Sequence, residues 1–231
     1  SLSHRILSLP MSLVGSAIGQ VFLAEGAEAY RNRSLKRTVI HVHYCLAQMA
    51  LPPVLMLVLV GPHVFGLLFG NTWADAGLVA QWMAPWLYLT FITSPLSSLF
   101  TIRERQYQGF VFQFLLLIAR VIAIFVGYLI GDFFVAIAVF AMASAIMRIV
   151  LLVVLLNDFY STIWELFRPT FVSFGWSLLV VSPLIIISLL EYQNTSILWG
   201  ALVLTVSLTS MRYYLFYRSI QSDFNSSQFA R

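Results

Sequence analysis

Apolar residues in this chain come in long unbroken runs, not in the short alternating stretches of a sheet or the one-sided stripes of a soluble helix. Seven runs are close to the ~20 residues needed to cross about 30 Å of hydrocarbon. They are Ile6–Ala24, Ile40–Val60, Ala76–Leu99, Phe110–Ile130, Phe133–Leu156, Phe171–Leu190 and Ser196–Tyr217. Continuous runs of this length predict helices rather than the strands of an outer-membrane barrel. The expected fold class is an all-α integral membrane protein with about seven transmembrane helices. Residues 1–157 would hold five of them, 158–168 (DFYSTIWELFR) an interfacial linker, 169–217 two more, and 218–231 a polar tail. Gly61–Gly70 (GPHVFGLLFG) is apolar but rich in Gly and Pro, and reads as an extracellular cap or a partly embedded turn. The connections leave no room for a soluble domain.

Composition supports a bilayer environment. The chain is 60% hydrophobic and 10% charged, with a mean hydropathy of +0.89. A soluble domain carries about 25% charge, so the 13 basic and 9 acidic residues here are too few to solvate its surface. A soluble enzyme, a disulfide scaffold and a disordered tail are thereby excluded. The net charge of +4 does not point to nucleic acid, because most arginines fall between the apolar runs. Arg31, Arg33, Lys36 and Arg37 follow the first run, Arg103 and Arg105 the third, Arg168 precedes the sixth, and Arg218 and Arg231 lie in the tail. The intervening connections, Gly61–Asp75, Gly131–Asp132 and Glu191–Thr195, contain no Lys or Arg. This alternation is the positive-inside pattern, predicting a chain that starts outside and ends in the cytoplasm.

Polar residues within the runs are then the informative ones. Arg120 lies eleven residues beyond Gly109, about 16 Å deep at ~1.5 Å per residue, and Arg148 lies about 15 Å in from Asp158. The two-residue turn Gly131–Asp132 makes their helices antiparallel neighbours, so both guanidiniums are expected at one depth. Gln113 is predicted on the face of Arg120, and Ser144 lies one turn before Arg148. Each central arginine costs about 2.5–3.5 kcal/mol to insert, which implies a polar interior. One reading is a cationic substrate site for an anionic group, most simply a phosphate. The other is a buried structural partner elsewhere, and no acidic residue lies in the middle of a run to supply it.

Other positions read as packing or bending elements. Pro10 permits a bend, Gly15-x-x-x-Gly19 permits close helix approach, and Pro85 and Pro95 release carbonyls in the third run. His41 and His43 are two apart and point to different helix faces, so interfacial packing is expected rather than a metal site. Cys45 is the only cysteine and reads as a packing residue. No phosphate-binding glycine loop, nucleophile elbow or carboxylate pair is present, so no catalytic residue, cofactor or metal is expected.

Several local motifs go further than composition. The opening RILSLPMSLVGSAIGQVF (Arg5–Phe22), LFGNTWADAG (Leu68–Gly77), and FITSPLSSLF followed by RERQ (Phe91–Phe100, Arg103–Gln106) resemble bacterial polysaccharide-biosynthesis membrane proteins. These are the Wzx-type O-antigen and capsule flippases of the multidrug/oligosaccharidyl-lipid/polysaccharide exporter superfamily. The pattern is carried by Phe69, Gly70, Trp73, Ala76 and Gly77, then by Ser94 and Pro95. The resemblance implies a fourteen-helix fold of which the seven runs match helices eight to fourteen. An N-terminal half missing from this chain would then be its partner. It also implies alternating-access export of an undecaprenyl-pyrophosphate-linked oligosaccharide for O-antigen, capsule or exopolysaccharide synthesis. Membrane lipid and glycan polymerase machinery are the further partners it suggests, and the last two runs are expected to line a groove for the lipid tail. Rival readings are export of a small amphiphile or drug, a membrane glycan polymerase or acyltransferase, and a structural subunit. The polymerase or acyltransferase would call for a long outer loop with arginines or a close His–Asp pair, and the longest outer connection has neither.

Overall fold

The computed structural model describes residues 18–189 and 195–229, and all regular structure among them is helical. A first helix, α1, occupies residues 18–31. It is followed by α2 (Leu35–Phe69), α3 (Ala74–Leu96), the single turn α4 (Leu99–Ile102), α5 (Gln106–Ile130), α6 (Phe133–Leu156), α7 (Ile163–Leu189) and α8 (Thr195–Phe229). Four of these helices, α2, α5, α6 and α7, are long and apolar enough to cross a membrane. α3 has the length, but Gln81, Trp82, Pro85, Trp86 and Tyr88 dilute its hydropathy. Pro10 and Gly15, with most of the first predicted run, lie outside the described residues. Gly19 is described, and a Cβ added there would stand 3.7 Å from the Pro95 α-carbon, an ordinary contact distance.

The helices pack in a row. α2 sits between α3 and α7, α6 packs on α3, α5 on α6, and α8 on α7 with a lighter contact to α2. The main core fills the α2–α3 seam with Leu46, Ala50, Val54, Ala84, Ile92 and Leu96. Two close approaches depend on missing side chains. A Cβ on Gly77 would stand 2.5 Å from the α-carbon of Pro62, and one on Gly127 would stand 2.5 Å from the Ala136 Cβ. These glycines let α2 meet α3 and α5 meet α6 backbone to backbone. By contrast α5 turns most of its surface outward, exposing Phe114, Leu117, Val121, Ile124 and Phe125. A patch of that size marks contact with lipid or protein, not water.

Several boundaries differ from expectation, and α1 already runs on to residue 31, past the expected end at Ala24. The Gly61–Gly70 segment is not a turn: α2 runs through it to Phe69, with a kink at Val60 (φ −133°, ψ 22°). The apolar pattern continues there, burying Val64 and Phe65, and the carbonyl that Pro62 leaves without an amide donor is satisfied from α3 (below). The 158–168 linker shrinks to a short turn because α7 begins at Ile163, where the Glu165 carboxylate in the first turn accepts the Ser161 backbone N–H at 3.1 Å. Lastly, α8 continues to Phe229 instead of ending near Tyr217. The Gly131–Asp132 turn is as expected: Gly131 takes φ 76°, and the Asp132 carboxylate caps α6 by accepting from the Val135 N–H at 3.0 Å.

Prolines inside the helices set a local problem, since each removes the amide that residue i−4 would have received. The structure answers it with side chains in three places. Pro53 frees the Met49 carbonyl, which accepts from the Tyr213 hydroxyl of α8 at 2.6 Å. Pro62 frees the Val58 carbonyl, which accepts from the Gln81 amide of α3 at 2.8 Å. Pro183 frees the Leu179 carbonyl, which accepts from the Ser182 hydroxyl at 2.8 Å. In an apolar surrounding such donors replace what water would otherwise supply.

Basic turns gather at one end of the row. Arg103, after α4, forms an ion pair of 2.6 Å with Asp158, after α6, and lies 5.5 Å from the Phe159 ring centroid. The α1–α2 turn and the start of α7 line a common cavity at that end.

Candidate functional site

Arg120 and Arg148 fall in the inner turns of α5 and α6, where sequence places them, and α3 supplies the third wall. Arg120 Nε donates to the Ser144 hydroxyl at 3.2 Å. Its guanidinium also lies between two rings, 5.2 Å from the Trp86 centroid and 5.5 Å from that of Phe140. Arg148 donates from Nη1 to the Thr93 hydroxyl at 3.2 Å, and Thr93 in turn donates to the Leu89 carbonyl at 2.7 Å. Buried Arg148 Nε has no hydrogen-bond partner among the described residues. The two like charges lie within electrostatic reach of each other, and neither makes an ion pair among the described residues.

The expected partners are rearranged. Ser144 serves Arg120 across the α5–α6 seam instead of Arg148 on its own helix. Gln113 does not join the arginines; it is exposed and lines a small cavity with Ser97, Thr101 and Gln106. It sits about two turns nearer the basic end, so sharing a face with Arg120 did not bring the two together. Thr93 and Trp86 were not foreseen as partners. Thr93 belongs to the FITSP segment, and Trp86 is buried, 8% exposed, in the middle of α3.

Magnitudes separate the two arginines. A desolvated cation–π contact is worth up to about 2 kcal/mol, and a hydrogen bond within a membrane about 0.6 kcal/mol. Two rings and one hydroxyl can therefore offset the ~2.5–3.5 kcal/mol cost of Arg120. Among the described residues Arg148 has only Thr93 and an unpaired Nε, so they do not meet its cost.

A third arginine occupies a similar position on the opposite flank. Arg212 lies at the middle of α8 because that helix runs past Tyr217. It donates to the Ser177 hydroxyl of α7 at 3.3 Å and to the Gln48 side-chain carbonyl of α2. The sequence signal was present in Gln48 and Ser177, polar residues within apolar runs. It was missed because the seventh run seemed to end soon after Arg212.

The remaining singled-out residues are structural. His43 is fully buried, with its Nδ1 2.8 Å from the Tyr160 hydroxyl, while His41 is exposed beside Cys45. Burial, with the nearby Glu165 charge, pushes the Tyr160 hydroxyl up to about 12, so it stays neutral at physiological pH. Phe69 packs between Phe65 and Trp73, Gly70 ends α2 at φ 96°, Ala76 packs against the core, and Gly77 admits Pro62. Ser94 is exposed, and its carbonyl accepts from the Ser97 hydroxyl; Pro95 is buried at the end of α3, and Pro85 stands exposed in its middle.

The fold and site define an all-α protein with four helices of membrane-crossing length and apolarity, and arginines held on neutral partners among them. Comparison with family models, with curated proteins and with solved structures finds no match to this chain.

Proposed function

We propose that the chain is part of a membrane transporter for an anionic, lipid-linked glycan, working by alternating access in the manner its motifs resemble. The observation that carries this reading is Arg148: an arginine in the inner turns of α6, held by one hydroxyl, with a buried Nε pointing at no acceptor. A guanidinium in that state is complementary to a phosphate oxygen, which would satisfy both its charge and its free donor. With Arg120 beside it, the pair suits a diphosphate better than a single carboxylate. The reading places seven crossings in the membrane, with the basic turns and the C-terminus in the cytoplasm. Undecaprenyl pyrophosphate is the diphosphate lipid that the motif resemblance implies.

The experiment is genetic. Removing the gene should cause lipid-linked oligosaccharide to accumulate on the cytoplasmic leaflet, and the Arg148→Gln protein should insert normally yet fail to clear it. Normal export without the gene would end this reading.

The stacking of Arg120 favours a second reading, in which that residue locks α5 to α3 and α6 and touches no substrate. Arg120→Lys keeps the charge but loses the planar stack. Loss of stability with transport per folded molecule unchanged would assign Arg120 to the fold and leave Arg148 as the ligand-binding group.

A further inference from the structure

The turn from α1 to α2 closes on an arginine in the left-handed region. The Ser34 N–H bonds to the Ala29 carbonyl at 2.8 Å and the Arg33 N–H to the Tyr30 carbonyl at 3.3 Å, closing α1 with a Schellman motif. The residue such a motif needs in the left-handed region is normally glycine, and here it is Arg33, at φ 56°. Glu104, in the turn between α4 and α5, has the same φ of 56°, whereas the positive-φ positions at the other end of the row are glycines, Gly70 and Gly131. Left-handed side chains thus close two turns at the basic end, and Arg33 is set apart by the cavity it lines.

Arg33 lines a cavity of about 920 Å³ between the α1–α2 turn and the start of α7. Lys36, Arg37 and Arg168 line it too, against one carboxylate, Glu165, which is engaged by the Ser161 N–H. None of the four cations makes an ion pair among the described residues. Below this charged rim the wall turns apolar, through Ile40 and Tyr44 of α2 and Pro169 and Val172 of α7. The volume is that of a site for a small molecule. A cationic mouth over an apolar wall, between two helices of membrane length, selects an amphiphile with an anionic head. Guanidinium groups hold phosphate oxygens by charge and by bidentate hydrogen bonds, and basic pockets between membrane helices suit anionic headgroups.

We propose that this cavity is a binding site for an anionic phosphate headgroup of a membrane lipid, with Arg33 and Arg168 as its principal phosphate ligands and Val172 against the acyl or prenyl chain. It is separate from the Arg120–Arg148 site and does not rest on the transport reading, because binding is measured without any movement of substrate.

The test is lipid retention by the full-length protein in native mass spectrometry, with phosphatidic acid as probe and phosphatidylcholine as the zwitterionic control. Phosphatidic acid should be retained in preference. Arg33→Gly should raise the melting temperature by relieving the turn, while weakening retention about tenfold, the scale of one lost charge-assisted hydrogen bond. Arg168→Gln should weaken it comparably. Val172→Trp, which fills the apolar wall and leaves every charge in place, should also weaken it. Undiminished retention in an Arg33→Gly/Arg168→Gln double variant would overturn the proposal. So would displacement by inorganic pyrophosphate together with indifference to Val172→Trp, which would make the cavity a site for soluble phosphate.

Discussion

Arg120, Arg148 and Arg212 share one arrangement: each is bound to hydroxyl, amide or aromatic groups on neighbouring helices, and none to a carboxylate among the described residues. The difference lies in how completely each is satisfied. Arg120→Ala should lower the melting temperature, since it empties the space between Trp86 and Phe140 and leaves the Ser144 hydroxyl without its donor. Arg148→Gln keeps a donor for Thr93 and should fold normally while reducing transport at least tenfold, the value of one charged hydrogen bond. Measuring melting temperature and transport on both variants separates the two roles. Sequence placed Arg120 and Arg148 at similar depth on adjacent helices, because counting residues along a helix measures depth directly. It could not assign their partners, since Thr93 and Trp86 approach through the rotation of α3 against α5 and α6, and Phe140 through that of α6 against α5. Those rotations are set by packing and leave no trace in periodicity.

At the scale of the helix, the α2–α3 seam depends on one missing Cβ and one side-chain amide. Gly77→Ala brings a methyl to within 2.5 Å of the Pro62 α-carbon. Neither backbone can yield easily, so a loss of about 1–3 kcal/mol is expected, read as a fall in melting temperature or in folded yield. Gln81→Leu removes the donor to the Val58 carbonyl. Its expected cost is about 1 kcal/mol, within the range for hydrogen bonds inside membranes, and the kink at Val60 should open as judged by spin-label distances across it. The existence of the long helices from α2 to α8 was legible, because runs of apolar residues have few alternatives. Helix ends were not: Gly and Pro in the 61–70 segment suggested a turn, yet a helix absorbs both when a neighbour supplies the lost hydrogen bond. The start of α7 and the length of α8 were misjudged for a related reason, since polar residues near a membrane surface are as compatible with helix as with loop.

For the whole molecule, the gathering of basic turns at one end turns a charge pattern into a geometric one, because the Arg103–Asp158 pair joins two turns far apart in sequence. On the proposed orientation, a cysteine placed at Asp132 should react with an impermeant thiol reagent applied outside intact cells, and one placed at Glu104 should react only after permeabilisation. The opposite result would invert the topology. The row of helices also gives the carbonyls released by proline a meaning beyond folding. Val58 depends on Gln81 only because residue 62 is proline; were that residue alanine, α2 could close its own ladder and Gln81 would be dispensable. Pro62→Ala and Gln81→Leu should thus each cost more alone than beside the other, and the same holds for Pro53 with Tyr213. Each proline and its distant donor form one heritable unit, so descendants of this chain that lose the proline are released to lose the donor, and those that keep it are not.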